Sequence, residues 1–77
     1  MTNMSSNIAD LTLEQIEAAM DAESVQHVGY LAIGHGRATL PSAKDGWPVS
    51  VSAETALEAL QRYGGHCWVD ESGHLAA

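Results

Sequence analysis

The side chains that could carry chemistry in this 77-residue chain are four histidines, one cysteine and ten carboxylates. His35, His66 and His74 each follow a glycine, which invites a metal reading. A zinc site needs three or four ligands converging on one point at about 2.0 to 2.3 Å. His66 and Cys67 are neighbours on a predicted strand, so their side chains leave opposite faces. Asp70 is expected to pair with His74 across the last turn. His66 then lies four residues further along the same face, on the order of 13 Å away at strand rise, too far to share an ion. No metal site and no cofactor are predicted. A combination of His35, His74 and a carboxylate from another segment is the one arrangement that spacing leaves open. His27 is expected as a half-buried strand residue.

Nucleophilic catalysis would need Cys67 beside a base in an electropositive pocket. Its neighbour His66 points away, and Asp70 and Glu71 would raise a thiol pKa, so Cys67 is predicted to be buried and inert. The chain has no Gly-x-Ser-x-Gly elbow, no phosphate loop ending in Lys-Ser/Thr and no His-Glu-x-x-His pair. Gly34-His35-Gly36 lacks a third glycine and a following helix, so it reads as a turn. A chain this short scarcely forms a pocket able to desolvate paired carboxylates. The expectation is a protein that is not an enzyme.

Three Lys/Arg against ten Asp/Glu give a formal charge of −7. Residues 10 to 23 hold five acids and no base, whereas residues 24 to 44 hold Arg37 and Lys44 and no acid. Nucleic-acid binding rests on a basic face that releases counterions, so direct contact with DNA or RNA is not expected. An acidic domain is drawn to basic protein surfaces instead. The lone cysteine precludes an internal disulfide and suits a reducing, cytoplasmic setting. No 18-residue apolar run or basic, apolar leader is present, so neither a membrane span nor a secretory signal is expected.

Positioning these residues requires a fold, and its elements are legible. Residues 1–10 read as a flexible polar tail and 11–77 as one domain. Thr12 and Gln15 make a capping box, with Leu11 and Ile16 at staple spacing, for a helix over 13–23 that buries Leu13, Ile16 and Met20. Residues 25–33 read as one strand, with Val25, His27, Leu31 and Ile33 on one face and Val28, Tyr30 and Ala32 on the other. Residues 37–40 return antiparallel. Asp45-Gly46 turns the chain into an edge strand over 47–51, since Pro48 cannot donate to a ladder. Ser52 caps a helix over 53–63 stopped by Gly64-Gly65, and 66–70 with 74–76 form a hairpin. The order α-β-β-β-α-β-β predicts a single α+β domain with a mainly antiparallel four- to five-stranded sheet and two helices.

What remains for function is binding. Glu14, Glu17 and Asp21 recur at i, i+3 and i+7 and form one acidic ridge, the candidate contact with a basic partner. Trp68 shares its strand face with His66 and Asp70, and Cys67 with Val69. If Cys67 and Val69 face inward, Trp68 is an exposed binding anchor; the absence of Phe favours instead a buried Trp68 that fills the core. In size, acidity and lack of catalytic motifs the chain resembles in kind the small acidic inhibitors carried by phages, such as anti-CRISPR proteins. That resemblance implies docking on a larger, nucleic-acid-handling protein. The alternative is an assembly subunit that self-associates, as a homodimer or larger, through Val28, Tyr30 and Ala32.

Overall fold

The architecture is a computed structural model describing residues 11–77; the tail expected over 1–10 lies outside the described residues. Helix α1 (Leu13–Met20) opens on the capping box, with Gln15 N–H donating to Thr12 Oγ1 at 3.2 Å and Thr12 N–H to Gln15 Oε1 at 2.9 Å. It ends a turn earlier than the periodicity predicts. The reason is the Gly34-His35-Gly36 turn: Gly36 N–H takes Met20 O and His35 N–H takes Ala22 O, both at 2.7 Å, so the carbonyls that would extend the helix are spent on the sheet. In this shortened helix Ile16 reaches the core, while Leu13 is exposed rather than buried as expected.

A four-stranded antiparallel meander follows, β1 (Gln26–Val28), β2 (Leu31–Gly34), β3 (Arg37–Pro41) and β4 (Pro48–Val51), in that spatial order. The single strand expected over 25–33 is thus a hairpin, closed by Gly29-Tyr30 with Gly29 at φ 62, the glycine-first kind of two-residue loop. Folding back reverses the face assignment. Val28 pairs with Leu31 and packs toward the core, whereas His27 pairs with Ala32 on the opposite face. On β3 and β4, Ala38, Leu40, Val49 and Val51 share the core side, and Thr39 pairs with Ser50 on the other. Pro48 lies on an edge strand, as its missing N–H requires.

Helix α2 (Ala53–Tyr63) has the predicted limits. Ser52 Oγ accepts from Thr55 N–H at 3.1 Å, and Gly64 in the left-handed region closes the helix by donating to Ala59 O and Leu60 O. Both helices lie against one sheet face, over a core of Leu, Ile, Val, Ala and Cys side chains centred on Leu31, Leu40 and Cys67. The last hairpin, β5 (Trp68–Val69) with β6 (Leu75–Ala76), forms its own two-stranded sheet. It is tied to the meander where Ala43 N–H donates to Val69 O at 2.8 Å. The α+β class is as predicted, with the first strand divided in two.

Candidate binding surface

The Gly64-Gly65 stop does more than end α2. Tyr30 N–H donates to Gly65 O at 2.8 Å, and a Cβ on Gly65 would stand 2.0 Å from Val28 O. Only glycine permits this backbone approach, which clamps the β1–β2 turn to the segment leading into β5. The clamp brings Tyr30 beside His66 and Trp68, with ring centroids 5.3 Å and 5.4 Å apart. Cys67 and Val69 point into the core, so strand alternation sends His66, Trp68 and Asp70 outward.

Trp68 is therefore exposed, contrary to the expectation that it fills the core. Tyr30 is 49% exposed, Trp47 72% and Trp68 36%. The strand expected over 47–51 begins at Pro48, and Trp47 is not part of it. It belongs instead to the turn before β4, where Asp45 Oδ1 accepts its N–H at 3.0 Å and its carbonyl accepts Ser42 N–H at 2.8 Å.

Asp70 organises the final turn. Its Oδ1 accepts Ser72 N–H at 2.9 Å and His74 N–H at 2.8 Å, and His74 Nδ1 lies 3.8 Å from Oδ2. The hydrogen bond from the His74 backbone, helped by those of Ser72 and Gly73 and by the imidazole, holds the Asp70 carboxyl below its ordinary value. The predicted Asp70–His74 pair thus forms. Burial, reinforced by the negative charge of Glu58, raises the Cys67 thiol, which is buried and free.

Glu14, Glu17 and Asp21 are all exposed and make no ion pair among the described residues. Glu17 and Asp21, with Met20, Gly36 and Ala53, line a shallow cavity of about 370 Å³. Asp21, at the end of the ridge, is not brought to Trp68. Asp21 lies where α1 meets the β2–β3 turn, whereas Tyr30 and Trp68 lie at the other end of β2, five residues away, roughly 16 Å at ~3.3 Å per residue.

Of Val28, Tyr30 and Ala32, only Tyr30 and Ala32 share a surface, lining one hollow. Val28 faces the core, Tyr30 occupies a turn and Ala32 faces outward. The uncovered sheet face is instead built on Ala32, Thr39 and Pro48, which line two adjoining hollows of about 320 Å³ and 350 Å³. Arg37 and His27 flank them and no carboxylate lines either. Sequence reasoning missed this face because it took the hairpin for one strand.

No group of three or more His, Cys, Asp or Glu side chains converges among the described residues. His35 has a local role: at φ 59 it occupies the left-handed region, and its Nδ1 lies 3.3 Å from Glu23 O. His66 packs on Tyr30, and His27 is exposed rather than half-buried. No helix among the described residues is long and apolar enough to cross a membrane. Comparison with protein-family models, with curated proteins and with solved structures finds no match to this chain.

Proposed function

We propose that the chain is a protein-binding module without chemistry of its own, which docks on a basic surface of a larger partner. The observation that carries this reading is the placement of its aromatic residues. A chain with two Trp, two Tyr and no Phe builds its core from aliphatic side chains and leaves both Trp and Tyr30 exposed. Small domains are short of core volume, so large rings left in water point to a second use, and Trp and Tyr are the usual anchors of interfaces. The charge of −7 selects a cationic partner. Asp21 supports the ridge as a contact because it caps the C-terminal end of α1, where the helix dipole disfavours an anion. An inhibitor of a nucleic-acid-handling protein in the cytoplasm is the specific form this reading takes.

The test is capture from host lysate at low and high salt, comparing the unaltered chain with Tyr30→Ala/Trp68→Ala and with Glu14→Lys/Glu17→Lys/Asp21→Lys. One partner retained at low salt, lost at high salt and lost by either variant is expected. Capture unaffected by salt and by both variants would overturn the reading. The carboxylate-free sheet face favours a second reading, self-association into an assembly. Micromolar oligomers in sedimentation that are dispersed by Ala32→Glu would establish it, and a monomer at that concentration would dismiss it.

A further inference from the structure

The ring pair at the Gly65 clamp stands beside a carboxylate. Asp70 directly follows β5, two residues beyond Trp68 and about 7 Å from it at ~3.3 Å per residue, and both side chains are exposed. Tyr30 meets Trp68 at 49°, so the two rings form an angled wall rather than a closed stack. The Asp70 carboxylate is fixed in place by the N–H groups of Ser72 and His74 on Oδ1, which leaves Oδ2 facing only His74 Nδ1 at 3.8 Å. The neighbouring turns add Asp45 and Glu71 against the single ammonium of Lys44.

No Arg or Lys covers these rings among the described residues, and His66 meets the Tyr30 ring edge-on at 5.3 Å. Arg62 is engaged on α2, 3.1 Å from Glu58 and 5.7 Å from the centre of the Tyr63 ring. Arg37 lines the uncovered sheet face. A planar guanidinium stacks on an aromatic face while an N–H in its plane donates to a carboxylate oxygen, which an ammonium cannot do with the same geometry. We propose that Tyr30, Trp68 and Asp70 form a receptor for one arginine side chain of the partner, its guanidinium lying on the rings and paired to Asp70 Oδ2. This names the anchor within the docking reading above and rests on it.

The experiment uses the full chain with Trp47→Phe, which leaves Trp68 as the sole tryptophan and replaces an exposed indole by a phenyl ring. Its fluorescence and backbone amide shifts are followed while a short arginine-containing peptide is added, with the same peptide carrying citrulline or lysine as comparison. The arginine peptide is expected to change Trp68 emission and to shift amides of 29–31, 66–70 and 74. Citrulline should give no effect and lysine a weaker one. Tyr30→Ala is expected to weaken binding about fivefold, the scale of one ring contact. Asp70→Asn, which retains the Oδ1 acceptor and so the turn, should weaken it by a similar factor. Equal response to citrulline, or shifts confined to Glu14, Glu17 and Asp21, would overturn the receptor. The docking reading would survive that result if partner capture remained salt-sensitive.

Discussion

Gly65→Ala is the substitution for which the structure yields the most definite magnitude. Gly65 has φ +87, and an added Cβ would sit 2.0 Å from Val28 O and 2.8 Å from Val28 C. An L-residue in the left-handed region costs roughly 1 to 2 kcal/mol. The Cβ meets backbone, so relief requires the β1–β2 turn and the 64–66 segment to part by about an ångström. That would break the 2.8 Å bond from Tyr30 N–H to Gly65 O, a loss of about 1 kcal/mol, and loosen packing behind it. The expected destabilisation is therefore about 2 to 4 kcal/mol, which for a domain of this size lowers Tm by roughly 10 to 30 °C. Gly73→Ala is the internal control: its φ is +86, but nothing lies within 4 Å of the added atom, so only the conformational part remains. Thermal and urea unfolding followed by circular dichroism measure both. Equal losses for Gly65→Ala and Gly73→Ala would refute the close-approach argument and with it the account of what positions Tyr30.

Ser52→Ala removes the oxygen that accepts Thr55 N–H and should cost about 1 kcal/mol in urea titration with an unchanged denaturant slope. Cys67, fully buried with its thiol raised, should react with a thiol reagent only at the rate of unfolding, and fast labelling of the native protein would contradict that burial. Asp70 is lowered from 3.8 in the folded state. Its contribution is complete above that value and is lost as pH falls through the folded pKa, so Asp70→Asn should flatten the stability profile below about pH 4. An unchanged acid limb would separate Asp70 from the turn.

The parts of the fold that local chemistry dictates were legible. The capping box, the limits of α2 from Ser52 to Gly64 and the pairing of Asp70 with His74 each depend on residues within a few positions of one another. The Gly29-Tyr30 turn was not, because it carries one glycine inside a run of strand-forming residues and has no polar turn signal. That single miss transferred Val28 to the wrong face and hid the open sheet surface. Trp68 was misjudged by arguing from core volume. Strand alternation with Cys67 and Val69 decided the matter, and that rule was available from the sequence. The proximity of Tyr30 to Trp68 had no local signal, since it comes from a backbone contact between residues 28 and 65. The glycine pair at 64–65, read only as a helix stop, was the trace of it.

The separation of Asp21 from the ring pair along β2, and the different physics of charge and rings, imply different kinetic roles in one docking event. A standard interface covers about 800 Å² per partner, wide enough to span both ends of a sheet this size. Exposed charge acts at long range and is screened by salt, so Glu14, Glu17 and Asp21 govern encounter. Rings that must be desolvated act only in contact, so Tyr30 and Trp68 govern residence. With the captured partner on a sensor surface, Glu14→Lys/Glu17→Lys/Asp21→Lys should slow association and abolish its salt dependence while leaving dissociation nearly unchanged. Trp68→Ala should accelerate dissociation about fivefold or more at an unchanged association rate. If the ridge variant instead accelerates dissociation while Trp68→Ala has no kinetic effect, the helix layer is the contact surface, and the exposed rings of this chain serve something other than that partner.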